Sequence, residues 1–277
     1  MAISANHTLV FTDLDGTLLD HDTYSFSDAI PTLDILNKKN IPIIINSSKT
    51  FDEIIEIREQ LKIKDPFIVE NGAAIFFELD YFDVIPDHVI EYENHYVLEL
   101  SKPIQYWNEI FKDIEFQINT KLERFSTMTP QRVSELTGLS LIESSKAKKR
   151  LYSDPIYFDG EESDLKFLLE MLENMGCHVL VGGRFIHVTN GCNKGVALKE
   201  MVNVFKINNQ LDYSTIALGD SNNDLAMLEI ADTSIVISNR NKTPLVVKKA
   251  VNTFTSTLFG PAGWNEILGP IIQTDYL

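Results

Sequence analysis

Cysteine is scarce in this 277-residue chain. Cys177 and Cys192 form no C-x-x-C pair, and nothing near them has metal-ligand spacing. A disulfide framework is therefore not expected, and the default setting is a reducing compartment. Long apolar runs are also missing. The longest aliphatic runs, such as Ile43-Ile44-Ile45, are of strand length, whereas a membrane span needs about 20 apolar residues. No basic stretch followed by an apolar one opens the chain, so the sequence predicts a soluble, cytoplasmic protein. Basic residues are too few to balance the acidic ones: 24 Lys and Arg against 40 Asp and Glu give a formal charge of −16. That balance argues against nucleic acid and anionic membranes as partners. A small anionic substrate stays possible, because a metal ion and a few lysines can reverse the sign inside one cleft. The oligomeric state is not readable. No internal repeat and no low-complexity linker is evident.

What is present is ordinary for a globular protein: 44% apolar, 10% aromatic and 23% charged residues. At about 150 residues per domain the length suggests two domains. The first third alternates strand and helix. Thr8 to Phe11 is an apolar run ending at Asp13-Leu14-Asp15-Gly16-Thr17, and residues 27–39 have helical spacing. Ile41 to Ile45 predicts a buried strand, Thr50-Phe51-Asp52-Glu53 a capping box opening a helix through Leu61, and Pro66 to Val69 a third strand. The last third resumes the alternation, with a helix over 194–205, strands at Ser214 to Leu218 and Ser234 to Ile237, and a helix at Asp224 to Ile230. Strands separated by helices imply a parallel sheet. The middle differs: a helix over 163–175 capped by Ser163 and stopped by Gly176, strands around it, and a helix opening at Thr129-Pro130. The expected fold is α/β: a Rossmann-like parallel-sheet core over 1–82 and 190–277, with an inserted α+β cap over 83–189.

Chemistry-bearing residues gather at strand ends, where ligand sites lie in open parallel sheets. Asp13 and Asp15, two residues apart, suit a nucleophile and a proton-handling partner beside a divalent cation. A plain Asp-Gly turn is the competing explanation. An EF-hand is disfavoured, because Gly16 comes one ligand too early. Gly219-Asp220-Ser221-Asn222-Asn223-Asp224 offers Asp220 as a metal ligand and Asp224 as its support, or else an N-cap with an acidic first turn. Ser47, ending the second strand, can donate to a phosphoryl oxygen or begin a helix. Lys194 opens a helix, a natural anion site, or is merely solvated.

Taken together, acid pair, hydroxyl, lysine and acid cluster resemble the haloacid dehalogenase superfamily of phosphotransferases. The resemblance implies Asp13 as nucleophile forming an aspartyl-phosphate and Asp15 as acid and then base. It implies Ser47 and Lys194 as phosphoryl-holding groups. Mg²⁺ would sit on Asp13, the Asp15 carbonyl and Asp220, with Asn223 and Asp224 in support. The insertion lies where one branch carries its large α+β cap. An acid at position 15 favours a phosphatase or phosphomutase, because dehalogenases lack the second acid and ion-pumping ATPases carry Thr there. Ile45 to Thr50, Pro66 to Gly72, Glu135 to Ser140 and Ala147 to Pro155 are similar to the mannosyl-3-phosphoglycerate phosphatase family, as is Gly182 to His187. Where that family usually has Arg-Glu-Phe-Ser-Glu-Pro, this chain has Arg150-Leu151-Tyr152-Ser153-Asp154-Pro155.

A phosphorylated sugar derivative is thus the expected substrate. Arg150 and Arg184 suit its carboxylate. Glu70, Asn71 and Asp154 suit its hydroxyls, with Lys49 and Ser153 beside them. The alternatives are a solvated basic run over 146–150 and an Asn-Gly turn at Asn71. His187 is expected to be structural. Other functions compatible with the same residues are a sugar-phosphate phosphatase of other specificity, a phosphomannomutase-like transferase and a non-catalytic sugar-phosphate sensor.

Overall fold

A computed structural model describes residues 7–118, 122–182, 185–240, 245–248 and 252–273. The strands, in chain order, are β1 (Thr8–Thr12), β2 (Ile43–Asn46), β3 (Phe67–Val69), β4 (Ala74–Glu78), β5 (Ile90–Tyr92) and β6 (His95–Glu99). They continue with β7 (Glu123–Arg124), β8 (Ile156–Tyr157), β9 (His178–Gly182), β10 (Phe185–Thr189), β11 (Ser214–Gly219), β12 (Thr233–Ser238) and β13 (Asn252–Phe259). The helices are α1 (Ile30–Lys38), α2 (Phe51–Leu61), α3 (Ile104–Ile118), α4 (Pro130–Thr137), α5 (Leu141–Ala147), α6 (Glu162–Asn174), α7 (Lys194–Asn209), α8 (Leu225–Ile230) and α9 (Gly260–Gln273).

Two compact units divide the chain. The first holds Met1–Ser47, Ile63–Leu98 and Asn193–Leu277. Its sheet has nine strands in the order β13-β12-β11-β1-β2-β3-β4-β6-β5. The run from β13 to β3 is parallel, while β3 with β4 and β5 with β6 are antiparallel. The central strands bury both faces, so they read as continuous apolar runs rather than alternations: every residue of β1 is buried. At the sheet's edge, β13 is an uncharged, mostly exposed strand. The Glu266 carboxylate of α9 accepts the Thr257 and Leu258 amides, each at 2.9 Å, and the Thr257 hydroxyl at 2.6 Å.

The second unit holds Ser48–Lys62 and Glu99–Cys192. Its antiparallel sheet runs β7-β8-β10-β9. Trp107, Phe111 and Ile114 of α3 and Leu168 and Leu172 of α6 join Ile156 and Ile186 in one core cluster. The division thus differs from boundaries at 83 and 189. The β5–β6 hairpin continues the first unit's sheet, and α2 groups with α5. Thr50 is the capping-box residue of α2 as its sequence predicts, with Glu53 reciprocating; its hydroxyl also reaches the Lys146 carbonyl at 3.2 Å. Lys149 bonds Asp52 at 2.6 Å, and Lys146 pairs with Glu56. Ser163 does not cap α6. The N-cap is Glu161, which makes no side-chain cap bond, and Ser163 lies inside the helix. Among the described residues no helix is long and apolar enough to cross a membrane.

His187 on β10 is held low, at about 4, first by burial and then by the positive charge of Arg150. The unfolded chain protonates this imidazole near its ordinary 6.5 and so binds the proton more readily than the folded one. The stability that the neutral ring contributes is present above about pH 6.5 and is lost as pH falls toward 4. His187→Gln should therefore flatten the fall in melting temperature across that window; thermal melts from pH 4 to 7.5 check it, and an unchanged slope refutes it.

Candidate active site

Five adjacent parallel strands end on one side of the sheet, and the residue directly after each is polar: Asn239 after β12, Asp220 after β11, Asp13 after β1, Ser47 after β2 and Glu70 after β3. Sheet geometry alone therefore gathers them. Asp13 extends β1 by one ladder bond, its amide donating to the Leu218 carbonyl at 3.0 Å. Its own carbonyl accepts the Thr12 hydroxyl at 2.8 Å, and Trp264 Nε1 donates to that hydroxyl at 3.1 Å. The following turn closes through Leu19 N to Leu14 O at 2.8 Å and Gly16 N to Leu19 O at 2.9 Å.

Lys194 is fully buried. Its Nζ donates to Asp13 Oδ1 at 2.6 Å and to Asp224 Oδ1 at 2.7 Å. The first turn of α7 is fixed from several directions. The Asn193 side chain caps it, accepting the Gly195 and Val196 amides. Asn46 Nδ2 donates to the Lys194 carbonyl at 2.9 Å. Gly195 lets α8 come close: a Cβ there would stand 2.5 Å from the Ala226 carbonyl oxygen. Asp224 Oδ2 accepts the Asp220 amide at 3.0 Å and the Ser221 amide at 2.9 Å. Asp224 is thus both the capping-box acid of its own turn and a partner of Lys194.

Glu70, Asn71 and Gly72 adopt left-handed φ values of 50°, 62° and 92° in succession. For the two non-glycine residues this is stored strain of the kind that gathers at functional sites. The segment is held by its contacts: the Asn71 amide donates to the Ser47 carbonyl at 2.9 Å, and Asn71 Oδ1 accepts Asn223 Nδ2 at 3.0 Å. Gly72 is obligatory, since a Cβ would lie 2.3 Å from the Asn193 carbonyl oxygen.

Burial pushes the Asp13 carboxyl up to about 7; Lys194 pulls it down, while Asp224 and Asp15 push it up further. Burial works against the Lys194 charge, but Asp13 and Asp224 outweigh it and hold the ammonium above its ordinary range. Asp13, Asp220 and Asp224 are all buried and present carboxylate oxygens within 4.8 Å of one another. Three carboxylates against one ammonium leave two negative charges when all are ionised. An all-oxygen donor set with that excess fits a hard divalent cation. Both oxygens of Asp224 are already engaged, which leaves Asp13 and Asp220 as the carboxylates suited to ligation. Asp15 stands outside the three-carboxylate cluster.

The first unit thus brings together Asp13, Ser47, Glu70, Asn71, Lys194, Asp220, Asn223 and Asp224. Asp15 lies in the same unit, and Lys49, Arg150, Ser153 and Asp154 lie in the second. Lys49 is buried, with Glu53 at 3.8 Å. Arg150 is buried and spends its guanidinium internally, Nε donating to Ser153 Oγ at 2.8 Å and Nη2 to the Ser48 carbonyl at 2.9 Å. Asp154, expected to meet sugar hydroxyls, has both oxygens committed inside its unit. They accept Arg124 at 2.9 Å, the Ser126 amide at 2.9 Å and its hydroxyl at 2.5 Å. Arg184 lies outside the described residues. Sequence inspection missed Thr12, Asn46, Asn193 and Asn239. The signal that could have found Asn239 is its place immediately after a parallel strand.

This fold and this acid–lysine cluster define a hydrolase of the haloacid dehalogenase type. The sequence profile of the haloacid dehalogenase-like hydrolases matches residues 10–257, and the chain belongs to that family. It is 37% identical over 275 residues to the glucosyl-3-phosphoglycerate/mannosyl-3-phosphoglycerate phosphatase of Persephonella marina, covering 96% of this chain and 97% of that one. A protein of the same name from Methanococcoides burtonii is 33% identical, with 95% and 97% covered. The mannosyl-3-phosphoglycerate phosphatase of Pyrococcus furiosus is 32% identical, with 83% and 91% covered. Among solved structures, BT1666 from Bacteroides thetaiotaomicron, a phosphatase of this superfamily, shares the fold at a TM-score of 0.64 and 18% identity, covering 97% of this chain and 96% of that one.

Removing Lys194 while keeping its acids strands buried carboxylate charge. Lys194→Met should cost about 3–5 kcal/mol, measured by denaturant unfolding at pH 8 without divalent cation. A loss below about 1 kcal/mol, the scale of an exposed pair, would show that the lysine is not the counter-charge described here.

Proposed function

We propose that the chain is a Mg²⁺-dependent phosphatase that hydrolyses a glycosyl-3-phosphoglycerate through an aspartyl-phosphate on Asp13. The observation that carries it is the buried Lys194 joined to Asp13 and Asp224, with Asp220 in the same carboxylate cluster. The phosphoric monoester hydrolase class is supported by the family and by the names its relatives share. The substrate is supported by relatives matched over nearly their whole length, two of them named for both the glucosyl and the mannosyl compound. Either sugar fits this reading.

In this mechanism the Asp13 carboxylate attacks phosphorus, and the bond from phosphorus to the glycerate oxygen breaks. Asp15 delivers a proton to that leaving oxygen. Asp15 then takes a proton from water as the water attacks the aspartyl-phosphate, which releases inorganic phosphate and restores Asp13. Proton handling of this kind is worth about 10²–10⁴ in rate. Lys194 holds Asp13 in place and neutralises phosphoryl charge, and Ser47 donates to a phosphoryl oxygen. Mg²⁺ on Asp13, the Asp15 carbonyl and Asp220 would supply the remaining positive charge for the phosphoryl oxygens. Asn223 and Asp224 orient this set rather than ligate. For the organic part we assign Glu70 and Asn71 to sugar hydroxyls.

Phosphate release with Mg²⁺ tests the proposal across mannosyl- and glucosyl-3-phosphoglycerate, simple hexose phosphates and 3-phosphoglycerate. A strong preference for a glycosylated substrate is expected, and flat activity across the panel would sink the substrate. Asp13→Asn should lower turnover by more than about a thousandfold while the circular dichroism spectrum is unchanged; near-normal turnover would discard the covalent route. Excess EDTA should abolish release, and full activity in EDTA would discard the cation.

A further inference from the structure

One polar side chain at the strand ends is left without a role by the acid–lysine cluster. Asn239 Nδ2 donates to Asp220 Oδ2 at 2.6 Å. We infer that Asn239 is a positioning residue that fixes the Asp220 carboxylate for the divalent cation, an inference that rests on the Mg²⁺ reading above.

Three observations support it. The first is chemical. Lys194 bonds Asp13 and Asp224, and Asp220 lies outside those two bonds. Something else must set its rotamer. A carboxamide does so without bringing a positive charge that would compete with a cation. The second is the backbone behind Asn239. The β12–β13 register pairs Val236 with Thr255 and then Ser238 with Phe259, so β13 takes four steps where β12 takes two. Irregularities of this kind sit beside active sites and re-aim side chains. Here the slip falls one residue before Asn239, and it is pinned. The Ser238 amide donates to Ser256 Oγ at 2.9 Å, and Ser256 Oγ donates to the Leu258 carbonyl at 2.7 Å. Gly263 leaves room for this bulge, since a Cβ there would stand 2.3 Å from the Leu258 carbonyl oxygen.

The third observation is convergence. Gly16, in the turn after β1, is left-handed at φ +77°, and a Cβ on it would lie 3.1 Å from Asp220 Oδ2 and 3.8 Å from Asn239 Nδ2. The segments following β1, β11 and β12 therefore meet at one carboxylate oxygen. The geometry holds that oxygen in place through Asn239. Partners that orient ligating groups typically contribute about 10- to 100-fold to metal affinity.

The test uses the full-length protein stripped with EDTA, titrated with MgCl₂ by calorimetry. Asn239→Ala is expected to weaken Mg²⁺ binding by about 10- to 100-fold, with the metal-free melting temperature shifted by no more than about 2 °C, as for a change outside the core. At saturating Mg²⁺ the substrate KM should match wild type, which separates a role toward the cation from a general loosening of the site. Mg²⁺ binding by Asn239→Ala equal to wild type overturns the inference while leaving the Mg²⁺ reading intact. Should Asn239→Ala fail to fold, Asn239→Ser, which stays polar but is too short to reach Asp220, is held to the same expectation. Absence of Mg²⁺ binding by wild type, with Asp220→Asn giving the same trace, overturns the Mg²⁺ reading and this inference with it.

Discussion

A lysine ammonium with no solvent exposure is tolerable only if carboxylates meet it directly, and much of the first unit answers to that requirement. Lys194 must reach Asp13 at the end of β1 and Asp224 in the turn after β11. The start of α7 therefore has to sit against both strand ends. The residues that allow this are largely ones without side chains. Gly72 makes way for the backbone at Asn193, Gly195 for α8, and Gly219 for Asp224, whose Cβ would be 2.4 Å from an added Cβ. A buried ion pair of this sort adds little net stability once desolvation is counted. Its value lies in fixing where a nucleophile and its counter-charge stand before any substrate arrives, so that little reorganisation is left for the reaction itself.

The same logic explains the strained segment after β3. Two non-glycine residues with left-handed backbone are costly, and they persist because Asn71 is over-determined by Ser47 on one side and Asn223 on the other. Asn71 thereby ties the loop after β2 to the loop after β11 across the top of β1. Rigidity at this rim comes from bonds between loops rather than from the loops' own conformational preferences.

Much of the first unit was legible in the sequence because parallel strands announce themselves twice. Their apolar runs are unbroken, and the residue that does chemistry stands at their end. Asp13, Ser47, Glu70 and Asp220 could be found that way. Asn239 stands at a strand end too, but its aim at Asp220 depends on a register slip between β12 and β13 that leaves no mark in composition. The second unit was less readable. Its strands β7 and β8 are two residues long, too short for an alternation to show. Asp154 looked like a ligand because nothing local marks it as the partner of Arg124, thirty positions away. Ser163 is a good capping residue by type, yet the helix begins one residue before it, at Glu162. The β5–β6 hairpin joins the nine-stranded sheet through pairing between distant segments, so the unit boundary moved from 83 to Glu99.

The carboxylate of Glu266 on α9 bears on how the protein behaves in a crowd. β13 is an edge strand of eight residues, Asn-Thr-Phe-Thr-Ser-Thr-Leu-Phe, with no charge and with Phe254, Leu258 and Phe259 partly exposed. Such an edge invites another chain to add a strand, and proteins usually defend it with lysine, proline or a covering loop. Here the defence comes from the neighbouring helix: one acidic side chain occupies the Thr257 and Leu258 amides. Amides already held cannot template a stranger, so at this stretch of the edge the guard is a carboxylate outside the strand itself.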